Sequence, residues 1–251
     1  MKIAIVTGAS SGMGREFVRQ IARKYRTIEE IWIIARRKER LEELSEELSD
    51  IRIRIFAVDL TDDKSLREIE DALSKDKPSV RILVNASGYG MIGRFEELSS
   101  DNIGMVDINC TALTKMINIA LPYMSNGNGN IINIASSAAF LPQPSFAVYA
   151  ATKSYVLNLS RALNQELKPR GISVTAVCPG PVATEFFDIA ETYNNVKMYK
   201  KLFKAKPEKV VETALKDTFH GKTVSVYGFT MKAFRILCKF LPKDFIIKFI
   251  K

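Results

Sequence analysis

Histidine is nearly absent: His220 is the only one in 251 residues, and it sits in the polar turn FHGK. It reads as a solvated loop residue, so any chemistry this chain performs has to run without a histidine base. Cysteine is scarce as well. Cys110, Cys178 and Cys238 are odd in number, far apart and without CxxC spacing, which argues against a disulfide framework or a zinc site. No stretch of about 18 uncharged apolar residues occurs, as a membrane-spanning helix would need. The opening MKIAIVTG passes directly into an apolar strand pattern with no leader and cleavage site, and a cytoplasmic location is the resulting expectation. No Gly-, Ser- or Pro-rich linker and no repeat period divides the chain. Residues 1–251 are therefore expected to form a single domain.

Acidic residues are in deficit, with 28 Asp plus Glu against 37 Lys plus Arg, for a formal charge of +9. Such an excess can attract nucleic acid, anionic lipid or a phosphorylated small molecule. Distribution speaks against nucleic acid, because no dense basic run interleaved with aromatics appears in the first 220 residues. Hydrophobic residues at 47% and charged residues at 26% exclude wholesale disorder and suit one folded α/β body.

What is present is alternation. Short apolar runs at 2–7, 31–36, 53–58, 81–86, 130–135, 172–177 and 223–228 read as strands, several of them apolar at consecutive positions, as in strands buried on both faces of a parallel sheet. Between them, 40–48, 65–73, 116–124 and 156–167 carry helical spacing. The pattern predicts βαβ units in a doubly wound, mainly parallel seven-stranded sheet flanked by helices.

After the first strand comes TGASSGMG, with Gly8, Gly12 and Gly14 leading into a helix expected to begin near Arg15. A dinucleotide places its pyrophosphate at a helix N-terminus, where free N–H groups favour negative charge and a Cβ would obstruct the approach. The end of the second strand reads IIARRKER, with Ala35 where an acid would bind a ribose hydroxyl, then Arg36 and Arg37. A guanidinium can pair with a 2'-phosphate that a carboxylate would repel, so NADP is expected over NAD through Arg36. Arg37 reads as the start of a solvated helix face.

In AVYAATKSY, Tyr149 and Lys153 lie four positions apart with Ala150, Ala151 and Thr152 between them. On a helix that spacing shares a face, and the small residues would give a cofactor close access to it. A phenol ordinarily ionises near pH 10. A neighbouring ammonium, together with the positive nicotinamide of an oxidised cofactor, is expected to lower that value and fit Tyr149 for proton transfer.

These motifs together resemble the short-chain dehydrogenase/reductase superfamily, over essentially residues 2–228. TGASSGMG is similar to its TGxxxGxG loop, NASG at 85–88 to its NNAG motif with departures at Ala86 and Ser87, YAATK to its YxxxK motif, and PGPVAT at 179–184 to its PG segment. The resemblance implies a Rossmann-type fold and hydride transfer between NADPH and a carbonyl or alcohol. Catalytic residues would be Ser136, Tyr149, Lys153 and Asn109. Family spacing selects Ser136 over Ser137, and Asn109 would hold a water linking Lys153 to solvent. The cofactor groove would comprise Gly8, Ser10, Ser11, Gly12, Met13 and Gly14, then Arg36, Asp59, Leu60, Asn85, Ala86 and Gly88. Pro179, Gly180, Val182 and Thr184 would complete it, with Tyr149 and Lys153. No metal is implied, and homodimers or homotetramers are usual in the family.

Residues 185–210 are expected to form a helical substrate lid bearing Phe186, Phe187, Tyr193 and Met198, with 87–98 as a second flexible wall, and these aromatics suit an apolar small molecule. The tail 229–251 has Phe234, Leu237 and Leu241 at helical spacing and six basic residues against one acid. It can pack on the domain or a second subunit, or lie on an anionic membrane. A membrane-surface lipid reductase and a non-catalytic dinucleotide sensor are the alternatives to an apolar-substrate reductase.

Overall fold

The computed structural model describes residues 1–124, 126–186, 190, 204–240, 242 and 243. Seven strands, β1 (Lys2–Thr7), β2 (Glu30–Ala35), β3 (Arg52–Ala57), β4 (Ser79–Asn85), β5 (Gly129–Ile134), β6 (Ile172–Val177) and β7 (Val224–Ser225), form one sheet in the order β3-β2-β1-β4-β5-β6-β7. Every pairing is parallel. The helices are α1 (Gly12–Lys24), α2 (Lys38–Glu47), α3 (Asp63–Asp76), α4 (Ser99–Val106), α5 (Leu113–Ala120), α6 (Ala147–Glu166), α7 (Pro207–Phe219) and α8 (Phe229–Phe240). A π-helical segment, Asp107–Ala112, joins α4 to α5.

Consecutive apolar residues in these strands are explained by the two cores they serve. Successive side chains of a strand point to opposite faces. Ile3 and Ile5 of β1 accordingly join a cluster with Ile69 of α3, Met116 of α5 and Val156 of α6. Ala4 and Val6 join another with Phe17 of α1, Leu41 of α2 and Val211 of α7. The expected doubly wound parallel sheet is what forms.

Several boundaries differ from the sequence expectation. Helix α1 begins at Gly12, ahead of Arg15. The run 223–228 supplies only the two-residue β7, since β6 pairs with it through Ala176 and Val177 alone. The 116–124 helix is displaced: α5 stops at Ala120 and Pro122 lies in a 3-10 turn, Leu121–Tyr123, because proline cannot donate the next helical hydrogen bond. His220 caps α7, its ring Nδ1 2.6 Å from the Lys216 carbonyl oxygen.

Strand order reverses between β1 and β4, so their C-terminal ends open a crevice where the connections diverge to opposite faces, the usual ligand position in open α/β sheets. Thr7 is the register partner of Asn85 there. Because Ile5 is fully buried, Ile5→Ala is expected to cost about 2–5 kcal/mol. Glu70→Ala, at an exposed position of α3, should stay within about 0.5 kcal/mol. Urea unfolding of the two variants checks the difference.

Candidate active site

The loop after β1 is shaped by what its glycines lack. Gly8 has φ 67°, and a Cβ there would meet the Ala86 and Ser87 backbone at 2.7 Å. At Gly14 a Cβ would lie 2.1 Å from the Gly8 carbonyl oxygen. The first turn of α1 therefore folds directly onto the strand end. Thr7 Oγ1 fastens the far wall by accepting the Ala86 and Ser87 N–H groups at 3.0 and 3.1 Å. Ser11 caps α1 without a side-chain bond, and the first turn carries no acid, which leaves N–H groups and dipole available to an anion. Gly12 faces the Thr184 side chain, 3.2 Å from where its Cβ would be. On the other wall, Asn85 donates to Asn133 at 2.9 Å, while its own Oδ1 is buried with no partner among the described residues. A glycine cradle and an orphaned acceptor beside it fit a dinucleotide.

The two arginines after β2 divide. Arg36 is 78% exposed, with Nη1 3.7 Å from Asp59 Oδ2. Burial works to raise the Asp59 carboxyl, but bonds from Thr61 and the Arg36 charge outweigh it and leave the group below its ordinary value. Arg37, the N-cap of α2, is exposed as expected from the sequence, yet it also has polar partners. It donates to Ser10 Oγ at 3.2 and 3.3 Å and to Glu185 Oε2 at 2.9 Å. Its hydrogen bond, together with others that include the Ser11 side chain, holds the Glu185 carboxyl below the usual range.

The polar cluster lies on the β4–β5 side. The π-helical segment carries Asn109 inward: its Nδ2 donates to the Tyr89 carbonyl at 2.9 Å and to Thr152 Oγ1 at 3.1 Å, and its Oδ1 accepts the Tyr89 N–H at 3.2 Å. A Cβ on Gly88 would strike that Oδ1 at 2.4 Å and lie 3.5 Å from Lys153 Nζ. Lys153 is buried and donates to the Ile134 carbonyl at the end of β5, at 2.9 Å. Its Nζ stands 5.6 Å from the Tyr149 ring centre. That ring is stacked on Phe146 at 4.2 Å and faces Phe186 at 5.4 Å, while Gly90 leaves room at its edge. Ser136 caps the short turn Ser137–Phe140, accepting the Ala138 N–H, whereas Ser137 donates its N–H to the Pro179 carbonyl.

In the chain alone, electrostatics run opposite to the shift expected for Tyr149 beside an ammonium and a positive nicotinamide. Burial pushes the Tyr149 phenol up to about 12, against a hydrogen-bonding influence from Ser136. The predicted lowering by the ammonium does not occur in the chain alone. Burial also pushes Lys153 down to about 8. Desolvation disfavours the charged form of each.

Tyr149, Lys153, Asn109 and Gly88 converge, with Ser136 acting on the phenol. Gly8, Ser10, Ser11, Gly12, Gly14, Asn85, Ala86 and Thr184 surround the crevice. Other predicted positions also pack into the fold. Leu60 belongs to one hydrophobic core and lines a small cavity with Thr7, Asn85 and Ser87, and Met13 packs against the other core. Gly180 is pressed by Met231 of α8, whose Sδ would be 2.6 Å from a Cβ there, and Val182 bridges to Ala205. Ala150 packs with Met91, Leu98 and Met105, and Thr152 bonds Asn109, so these small residues serve helix packing. Of the expected lid, Phe187, Tyr193 and Met198 lie outside the described residues, and 207–210 belong to α7. The wall at 87–98 is packed down, with Ile92 and Gly93 N–H groups bonded to Ala190 and Ser145 carbonyls. Sequence reading missed Thr7, Gly90 and Glu185, although the first two lie within or beside the quoted motifs, and it read Thr152 as a small spacer without its hydrogen bond to Asn109.

A family model described as short chain dehydrogenase matches residues 2–194. The chain belongs to this family of oxidoreductases. Over 233 residues it is 28% identical to an oxidoreductase of Staphylococcus aureus (strain USA300), covering 92% of this chain and 96% of that one. Among solved structures, a short-chain dehydrogenase from Sphingobium yanoikuyae in complex with NADPH is similar with TM-score 0.80 and 28% identity, covering 97% of both chains. A short-chain dehydrogenase/reductase from Burkholderia phymatum in complex with NAD shares the fold with TM-score 0.81 at 20% identity, covering 98% of this chain and 95% of that chain.

The depressed Lys153 value carries a stability signature. The unfolded chain holds that proton up to about 10.5, whereas the folded chain releases it near 8. Between these values the unfolded state binds more protons, so stability rises with pH. Relative to Lys153→Met, wild-type stability should increase by up to about 1 kcal/mol per pH unit across that window. Urea titrations at several pH values check the slope, and parallel curves for the two proteins refute it.

Proposed function

We propose that this protein is an NADP-dependent oxidoreductase that reduces a carbonyl group of an apolar small molecule. The adjacency of Ser136, Tyr149 and Lys153 beside the glycine crevice carries this reading. Gly8, Ser10, Ser11, Gly12, Gly14, Asn85, Ala86, Gly88 and Thr184 would hold the dinucleotide, with Asp59 toward the adenine. When bound, NADPH supplies the hydride.

The chain's own part is proton delivery. Tyr149 donates its phenolic proton to the carbonyl oxygen as negative charge grows there, and Ser136 donates a hydrogen bond to the same oxygen. A phenol held up at about 12 keeps that proton at neutral pH, as reduction requires. Protonated Lys153 stabilises the phenolate left behind, and Asn109 fixes the loop and helix that carry the pair. Phe146 and Phe186 beside Tyr149 favour an apolar substrate. A homo-oligomer fits the exposed apolar side chains of α4 and α6, Ile103, Val106 and Tyr155.

Tyr149→Phe should lower turnover at least about a hundredfold while leaving NADPH binding by fluorescence intact; unchanged turnover in a screen of aldehydes and ketones refutes the assignment. Carbonyl reduction by the wild type should fall as pH rises through about 8, where Lys153 loses its charge, and a profile flat beyond that point contradicts the role given to it.

The preference for NADP rests on both arginines. Arg36 is mostly exposed, with the Asp59 carboxylate 3.7 Å away, while Glu185 holds Arg37 in a contact that a 2'-phosphate would take. Replacing both by Ala should reduce the NADPH-to-NADH affinity ratio about tenfold or more, the size of a charged hydrogen bond or two. Titrating each nucleotide against wild type and variant measures it.

A further inference from the structure

Scattered apolar side chains are ordinary on a protein surface, whereas a contiguous patch marks an interaction site. Ten large hydrophobic side chains are exposed among the described residues, and four of them lie on the single helix α8: Phe229 at 85%, Ile236 at 58%, Leu237 at 50% and Phe240 at 75%. At the helical repeat of roughly 100° per residue, Phe229, Ile236 and Phe240 fall within a roughly 40° arc, and Leu237 lies alongside.

The helix already has a partner on its other side. Met231 sits over Gly180, Phe234 lies 6.4 Å from the Phe140 ring, and Cys238 is buried. These three residues project opposite to the Phe229 stripe, so packing on the domain accounts for one apolar face of α8 and leaves a second unexplained. Lys232 and Lys239 border the exposed stripe, Arg235 follows them round the helix, and no acid occurs from Phe229 to Lys243. Neither lysine has an ion-pair partner among the described residues. Lys239 instead extends over the Phe240 ring at 5.8 Å.

We propose that this outward face of α8 is a docking surface for an anionic lipid bilayer, with Phe229, Ile236 and Phe240 entering the headgroup boundary and Lys232 and Lys239 at the level of the lipid charges. Apolar burial and attraction to anionic lipid act together in such a helix. A second copy of this chain is the poorer occupant. A two-fold contact is made by the same patch on both subunits, so it would bring the lysines of one copy against those of the other with no carboxylate on the helix to separate them. The inference is independent of the proposed chemistry, because its readout is partitioning.

The test is co-sedimentation of the full-length protein with phosphatidylcholine vesicles and with vesicles also containing phosphatidylserine, alongside light scattering without lipid. The wild type should partition onto the phosphatidylserine vesicles about tenfold more than onto phosphatidylcholine alone, and less as salt is raised. The triple variant Phe229→Ser, Ile236→Ser, Phe240→Ser should lose that binding, and Lys232→Glu with Lys239→Glu should lose it about tenfold or more. Because all five side chains point to solvent, both variants should keep the wild-type unfolding midpoint and bind NADPH as before. Wild-type protein that stays in the supernatant, or a triple variant that partitions unchanged, overturns the proposal. So does a wild-type dimer that the triple variant converts to monomer, which would assign the face to a second copy.

Discussion

The side-chain amide of Asn109 is the constraint on which the arrangement of this site depends. A buried amide is costly unless its hydrogen bonds are made, and this one makes three, two to the Tyr89 backbone and one to Thr152. It thereby ties the loop after β4 to helix α6. The opening of the helix to π spacing across Asp107–Ala112 brings the amide into reach, a local irregularity of the kind that recurs at functional sites. Gly88 must lack a side chain because Asn109 Oδ1 occupies the space. Gly90 must lack one because the Tyr149 ring does. The positions of Tyr149 and Lys153 are thus braced by the three hydrogen bonds of one amide and by two absent methyl groups.

With that geometry fixed, the balance between desolvation and charge decides the protonation of the pair. The sequence argument weighed the attraction between phenolate and ammonium and expected the phenol to become more acidic. Burial acts on both groups together and favours the neutral form of each. The Lys153 ammonium makes its hydrogen bond to the Ile134 carbonyl, and its distance from the phenol ring centre is 5.6 Å. Its help to the phenol is consequently weaker than the cost of removing the phenolate from water.

What could be read in advance depended on how local the cause was. Strands buried on both faces announce themselves as consecutive apolar residues, so the sheet was legible, and TGASSGMG exposed its turn because Gly14 answers a steric need at nearby Gly8 and because Gly8 and Gly12 take positive φ, whereas the walls those two glycines face, Ala86 with Ser87 and Thr184, lie far along the chain. The short β7 was overread because TVSVYG has strand character along a run whose neighbour pairs with only two of its residues. The partners of Arg37 were illegible for a geometric reason. Neighbouring residues on extended backbone point to opposite sides, so as Arg36 turns toward Asp59, Arg37 turns toward Ser10 and meets Glu185, 148 positions along the chain. No spacing rule links residues that distant. The same is true of Asn109, whose residue type could be noticed but whose π-helical setting could not.

The C-terminal helix shows how the site and the surface are connected through packing. A glycine at position 180 is needed here because Met231 of α8 lies against it, so the segment after β6 is shaped from behind by a helix that the sequence presents as an appendage. Having used Met231, Phe234 and Cys238 to close the domain, α8 gains nothing further for folding from Phe229, Ile236 or Phe240, which remain in water. An amphipathic helix needs one apolar face to be held in place, whereas this one has two, separated on one side by Lys232, Arg235 and Lys239. The first face answers to the fold, and the second, bordered by positive charge, is the one proposed above to dock on an anionic bilayer.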